Sequence, residues 1–164
     1  MNHIRVLRRG DDLGDLIALS KAFFKEYESH HKEFFKIDHL SDRDIIDYFS
    51  RWIDNQNGTT FIALDEDHIV GYMTAHLRDQ PAYWQIKQVG DISGLMVHKD
   101  FRRRGIGSQL LAQARVFFAK RGVNYFVVST AAENKGAIEF YKCNGLWPLY
   151  ATMAGTASEG RENS

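Results

Sequence analysis

A run of three arginines and two glycines leads directly into an amphipathic segment in HKDFRRRGIGSQLLAQARVFF, residues 98–118. The apolar residues after the glycines recur at helical spacing, which predicts a helix over Gly107–Arg121. A helix N-terminus carries unpaired backbone N–H groups and a partial positive charge. Glycines leave that backbone open to close approach, and arginines add charge and paired donors. The segment therefore predicts a binding site for an anion such as a diphosphate.

Two familiar phosphate-binding motifs do not fit this segment. The dinucleotide-binding fingerprint needs a third glycine where the chain has Leu110, and the Gly-Lys-Ser/Thr of a P-loop is absent. A solvated turn or a basic patch for nucleic acid are the other interpretations that the residues leave open. The 21 Lys and Arg residues are balanced by 21 Asp and Glu residues, so we expect neither a nucleic-acid partner nor an acidic membrane surface.

The periodicity of the apolar residues predicts a mixed α/β fold. The first half of the chain is predicted to form a strand over 3–8, a helix over 12–27, and a second helix capped by Ser41 and ended by Asn57 and Gly58. Strands follow over 59–64, 69–77 and 91–97. After them come the helix over 107–121, a buried strand within 124–130, and a short helix before Gly145. A chain of 164 residues can bury one substantial core. We therefore expect a single domain over residues 1–154 and a disordered polar tail over 155–164.

Cysteine, histidine and apolar content restrict the class of protein further. The single cysteine, Cys143, allows no internal disulfide and no cysteine-based zinc site, and the seven histidines lack metal-ligand spacing, so we expect no metal. The N-terminus has no apolar signal segment, and no run approaches the roughly 18 apolar residues of a membrane helix. These features favour a soluble, cytoplasmic protein without membrane attachment.

Two linked motifs within residues 91–147 resemble those of the GNAT superfamily of N-acyltransferases. The segment RRRGIG has the form Arg/Gln-x-x-Gly-x-Gly/Ala of the family's acyl-CoA-binding motif, and AAENKGAIEFYKCNGL is similar to the next motif of the family. The resemblance implies a mostly antiparallel twisted sheet flanked by helices, with a splayed strand pair forming the acyl-CoA cleft. It also implies an N-acetyltransferase that transfers acetyl from acetyl-CoA to a primary amine in a direct ternary complex.

The resemblance also implies roles for individual residues of the cofactor site. The main chain of Leu95, Met96 and Val97 is expected along the pantetheine arm, and the N–H of Leu95 is expected to polarise the acetyl carbonyl. Asn134 and Ala137 match positions beside the same arm. The residues expected around the diphosphate are Arg102, Arg103, Arg104, Gly105, Ile106, Gly107 and Ser108.

Two side chains are candidates for proton transfer. Tyr141 matches the family position near the cofactor sulfur, where a phenol can protonate the departing thiolate; its alternative role is in the core. Asp91 is the candidate general base, with a water chain or a turn-capping role as its alternatives. Strand alternation would place Asp91 on one face with Leu95 and Val97, unless a bulge shifts the count.

The acceptor is expected to contact aromatic side chains at Phe24, Tyr27, Tyr83 and Trp84. Aromatic rings beside carboxylates suit a cationic amine, although phenylalanines at helical spacing also fit a plain core. A polyamine, an aminoglycoside, an amino acid and a protein amine all remain compatible, and so does a homodimer. A catalytically silent acyl-CoA sensor is the alternative function.

Overall fold

The computed structural model describes residues 3–158, which fold into five strands and four α-helices around one mixed sheet. Most of the predicted tail over 155–164 therefore lies outside the described residues. The elements in chain order are β1 His3–Val6, α1 Gly14–Glu28, α2 Asp42–Ser50, β2 Gly58–Asp65, β3 His68–Asp79, β4 Gln88–Val97, α3 Ile106–Lys120, β5 Phe126–Val128 and α4 Lys135–Cys143.

The five strands lie in the sheet in their sequence order. Neighbours from β1 to β4 are antiparallel, whereas β5 is parallel to β4 and pairs only with Gly90–Ile92. Beyond Ile92 the two strands separate, so the last part of β4 has an open edge. The predicted mixed α/β fold, with its largely antiparallel sheet and a splayed strand pair, is confirmed.

Helices cover both faces of the sheet. The buried side of α3, which includes Leu110 and Phe118, packs on one face together with Ile92 of β4. On the other face α1 and α2 bury Leu16 and Phe49 against the sheet. Apolar residues therefore alternate between two cores along each strand, as period-two side-chain geometry requires.

The largest differences from the sequence prediction are two boundaries and the burial of one strand. Helix α2 begins at the predicted capping box, where the Ser41 hydroxyl accepts the N–H of Asp44, but it ends at Ser50 rather than near Asn57. Strand β4 begins at Gln88 because its first residues pair with the end of β3. Strand β5 is only half-buried, and the prediction of a buried strand is wrong because β5 lies at the edge of the sheet.

A β-bulge interrupts β4 where it leaves β5. Thr74 of β3 lies opposite Gly94 and Ala75 lies opposite Ile92, so Ser93 has no partner in the ladder. The extra residue reverses the alternation of side chains. Ile92 and Leu95 consequently both face α3, and Asp91 points to the α1/α2 side. Asp91 therefore does not share a face with Leu95 and Val97, because the bulge shifts the count, the exception under which simple alternation was expected to fail.

Candidate active site

The N-terminus of α3 is an open backbone cradle. Gly105 precedes the helix with φ +78°, Arg103 lies in the left-handed region at φ +63°, and no side chain within residues 3–158 caps the helix. The first N–H groups of α3 therefore lack the intramolecular acceptors that a cap would supply. With the dipole of a 15-residue helix behind them, they form a site for an anion.

The three arginines before the cradle have different environments. The Arg102 Nε donates to the carbonyl of Val97 at 2.9 Å, and its Nη2 donates to the Glu26 carboxylate at 2.6 Å. The guanidinium of Arg104 lies 4.9 Å from the centre of the Phe101 ring, and Arg103 is exposed. Arg102 therefore links α1 to the start of α3, and Arg103 and Arg104 are the exposed cations beside it that form no ion pair within residues 3–158.

Packing favours the glycine at position 107, as does access to the backbone. A Cβ at this position would lie 3.1 Å from the Phe140 ring of α4. The absence of a side chain lets α3 and α4 approach closely beside the splayed strands. Ile106 is buried beneath the same turn, while Ser108 is exposed at its surface.

The open edge of β4 presents backbone N–H groups toward the cleft. The N–H of His98 donates to Val70 on the β3 side at 2.8 Å. Because backbone groups alternate along a strand, the N–H groups of Val97 and Leu95 point away from β3, to the side that β5 leaves open. The Met96 side chain is buried in the α1/α2 core, and the same alternation turns its N–H toward β3, so Met96 presents no donor at the open edge.

Helix α4 places Tyr141 beside α1. The Asn134 side chain accepts the N–H of Ala137 at 3.1 Å and so caps the helix. Burial, and secondarily the neighbouring Tyr27 phenol, raise the pKa of Tyr141 well above its usual value. At neutral pH this hydroxyl is protonated and can act only as a proton donor.

Asp91 lies in a polar cluster that the sequence did not indicate. Its carboxylate is 2.9 Å from the Arg78 Nε, and two residues along the strand the Ser93 hydroxyl lies 2.6 Å from that of Tyr48. Burial raises the pKa of Tyr48, so its hydroxyl is also protonated. No signal in the sequence links Tyr48 to Ser93, because the contact depends on the bulge and spans 45 positions.

The aromatic residues expected at the acceptor site do not lie together. Tyr27 packs edge-on against Phe35 at 4.7 Å, and Phe24 is exposed beside it, so these two form one surface with the end of α1. Tyr83 and Trp84 are 79% and 55% exposed on the loop between β3 and β4, where their rings contact each other. Among residues 3–158, no side-chain hydrogen bond, ion pair or aromatic contact joins this loop to α1.

Metal-binding clusters and membrane-spanning helices are both absent from residues 3–158. No three His, Cys, Asp or Glu side chains in that range are arranged to hold a metal ion. None of its helices has both the length and the apolar character needed to cross a bilayer.

Comparisons with known proteins place this geometry in a family. The chain is 29% identical over 141 residues to an uncharacterized N-acetyltransferase of Methanocaldococcus jannaschii, an alignment that covers 83% of the chain and 57% of that protein. The chain thus spans little more than half the length of the curated relatives it matches.

Solved structures share the fold at low sequence identity. A mutant protein of Bacillus halodurans has a TM-score of 0.82 at 20% identity, over 95% of this chain and 99% of that one. The aminoglycoside N-acetyltransferase AAC(6')-Iy in complex with CoA has a TM-score of 0.77 at 18% identity, over 95% of this chain and 94% of its own. Sequence matching further aligns residues 21–146 with the family described as acetyltransferase (GNAT). Since this match includes the α3 cradle, the open edge of β4 and Tyr141, the chain belongs to the GNAT acetyltransferase family.

Proposed function

We propose that the protein is an N-acetyltransferase that moves an acetyl group from acetyl-CoA to a primary amine in a direct ternary complex. The observation that carries this proposal is that three features lie on elements in contact with one another: the uncapped start of α3, the open edge of β4, and the protonated Tyr141 of α4. Its support from comparison is the family match and a fold neighbour that is described in complex with CoA.

The residues of the cleft fit a long, diphosphate-bearing cosubstrate. The N–H groups from Arg103 to Ser108 would hold the diphosphate, with Arg103 and Arg104 adding charge. The N–H of Val97 would bond an amide carbonyl of the pantetheine arm as an added strand does, which leaves the N–H of Leu95 for the acetyl carbonyl. Asn134 and Ala137, at the start of α4, would border the arm on the other side.

Bound acetyl-CoA supplies a thioester whose carbonyl carbon is attacked by the amine. The Leu95 N–H would then stabilise the negative charge that develops on the carbonyl oxygen. The Tyr141 hydroxyl would give its proton to the sulfur as the carbon–sulfur bond breaks. The amine must lose a proton in exchange, to Asp91 or to water. Because Asp91 is already paired with Arg78, the water route is the one that requires no ion pair to break.

The test is the release of free thiol from acetyl-CoA in the presence of a panel of primary amines, with the acetylated amine identified by mass spectrometry. Thiol release that depends on the amine is the expected result. Tight binding of acetyl-CoA with no thiol release from any amine would instead support the silent sensor. Failure to bind acetyl-CoA would contradict both functions.

A further inference from the structure

A phenol from helix α2 contacts the bulge in β4. The Tyr48 hydroxyl lies 2.6 Å from that of Ser93, the residue of β4 that has no partner in the ladder with β3. The same phenol lies beside the hydroxyl of Thr74, which is opposite Gly94 on β3. Tyr48 therefore contacts both strands at the point where their register changes.

Anchoring of α2 to the sheet does not by itself account for this contact. The helix already buries Ile45 and Phe49 in the core between α1, α2 and the sheet. A hydrogen bond between the half-buried Tyr48 and the exposed Ser93 adds little to that apolar packing, because it replaces bonds that both hydroxyls make with water. The bond does restrict the orientation of Ser93, which no pairing with β3 holds.

The residue after Ser93 connects this contact to the open edge of β4. Gly94 is buried, and a Cβ there would lie 3.3 Å from the Tyr72 ring and 3.7 Å from the Tyr48 hydroxyl. Both tyrosines therefore lie against the backbone of Gly94. The next backbone N–H is that of Leu95, which points to the side that β5 leaves open.

Acyl transfer is sensitive to the direction of such an N–H group. A donor stabilises the negative charge on a carbonyl oxygen most when it is already held at hydrogen-bond distance before the reaction, and loss of one donor typically costs about 100- to 1000-fold in kcat. A donor that is present but less well held should therefore cost less than this, while leaving the binding of the rest of the cosubstrate unchanged.

We propose that Tyr48 and Ser93 are positioning residues that hold the Leu95 N–H in the direction of the acetyl carbonyl of bound acetyl-CoA. The inference rests on the proposed acetyltransferase function and assigns two further residues to it. Both act through the backbone of β4 and not by contact with the reacting atoms.

The carbonyl stretch of bound acetyl-CoA tests the inference before any acceptor is identified. An isotopic label at the acetyl carbonyl carbon isolates this band in difference infrared spectra, and a stronger hydrogen bond to the oxygen lowers its wavenumber. We expect the band to lie at higher wavenumber in Tyr48→Phe and in Ser93→Ala than in the parent protein. An unchanged band in either variant would overturn the inference.

Ser20→Ala is the matched control for Ser93→Ala. It also removes a serine hydroxyl that lies beside a tyrosine of the same core, because buried Ser20 of α1 faces Tyr72. We expect this control to lower Tm and to leave the carbonyl band at the parent position. A band shift as large as that in Ser93→Ala would show that general loosening of the core causes the effect, and would overturn the inference.

Kinetics with an amine that releases thiol give a second readout. Tyr48→Phe should lower kcat by about 2- to 10-fold, the usual size of one hydrogen bond, with the Kd for acetyl-CoA nearly unchanged. Ser93→Ala should have the same effect, and the double variant should be no slower than either single variant, because both changes remove one bond. Additive losses would overturn the inference.

The pH profile of kcat separates positioning from proton transfer. Because a positioning Tyr48 keeps its proton throughout the reaction, Tyr48→Phe should lower kcat by the same factor at each pH. A profile that loses one of its limbs in this variant would mean that Tyr48 transfers a proton, and would overturn the inference.

Failure of the inference is distinguishable from failure of the proposed function. Acetyl-CoA that binds and reacts, with the same carbonyl band in the parent and the variants, would remove the positioning role and leave the function standing. A chain that does not bind acetyl-CoA would contradict the function and the inference together.

Discussion

Tyr141 is the single residue on which departure of the thiolate should depend. Because its hydroxyl is protonated at neutral pH and faces α1, Tyr141→Phe removes a donor without removing the ring. We expect kcat to fall by about 10- to 1000-fold, with the Kd for acetyl-CoA nearly unchanged. Steady-state kinetics and calorimetry measure the two quantities. Tyr125→Phe, at an exposed position before β5, is the control, and equal kcat values in the two variants would contradict the acid role.

Arg103 and Arg102 should differ in what their loss affects. Arg103 is exposed beside the cradle, so Arg103→Gln should weaken acetyl-CoA binding by about 10-fold with little change in Tm. Arg102→Gln should also lower Tm, because it breaks the contacts with Val97 and Glu26. Calorimetry and thermal unfolding of both variants separate the roles. Lys120→Gln, at the opposite end of α3, controls for net charge, and similar binding losses in that variant would contradict a local role.

At this scale the sequence predicts residues whose position follows from a local pattern. Gly105, Tyr141 and the helix after Gly107 were placed by motif and periodicity, because they depend on neighbours in the chain. The contacts Tyr48–Ser93, Arg78–Asp91 and Glu26–Arg102 were not predicted, since each joins separate elements. The Glu26–Arg102 contact also changes the interpretation of the arginine run, because it gives Arg102 a structural role that its two neighbours do not share.

The link between β1 and α1 depends on a partly buried ion pair. Arg5 donates to both carboxylate oxygens of Asp11, at 2.7 and 3.0 Å, and the N–H of Arg8 donates to the same group. The hydrogen bond from Arg5, aided by that of Arg8, holds the pKa of Asp11 below its usual value. The charged form of Asp11 is therefore the form that stabilises the folded protein.

A depressed pKa in the folded state gives a stabilisation that is complete above the unfolded pKa, near 3.9, and is lost as the pH falls through the folded value. Asp11→Asn should thus lower the free energy of unfolding by about 1 kcal/mol at pH 7, and the difference from the parent should shrink below pH 4. Urea unfolding at several pH values measures it. Asp67→Asn, in the exposed turn between β2 and β3, is the control, and a difference independent of pH would argue against the ion pair.

Helix starts that depend on residues close together in the sequence were predicted, whereas the bulge in β4 was not. The capping box at Ser41 fixes the start of α2, since its two hydrogen bonds are formed within four residues. The bulge at Ser93 has no such local cause, because it exists only in the pairing of β4 with β3. That one residue decides which core Leu95 faces and on which side Asp91 lies, so the geometry of the candidate base could not be read from alternation.

For the whole molecule, the order of elements predicted a mixed α/β fold, and the family resemblance implied the mostly antiparallel sheet, whose strands lie in their sequence order. The separation of β4 from β5 is a property of the entire sheet. It arises where the parallel pairing stops at Ile92 and the bulge begins, and it creates the edge at which we place the pantetheine arm. Cofactor binding should therefore join α3, β4 and α4 into one unit.

Because acetyl-CoA would contact α3, β4 and α4 together, we predict that it raises the Tm of the protein substantially. A ligand at 100 times its Kd stabilises the folded state by roughly 2.7 kcal/mol, which for a chain of this length raises Tm by about 5 to 10 °C. Acetyl-CoA should give this shift, whereas acetyl-pantetheine, which lacks the diphosphate, should give a much smaller one at equal concentration. Arg103→Gln should reduce the shift with acetyl-CoA and leave that with acetyl-pantetheine unchanged, because only the diphosphate reaches the start of α3. Equal shifts with both ligands would mean that the α3 cradle does not bind the diphosphate, and no shift at millimolar acetyl-CoA would contradict the proposed function.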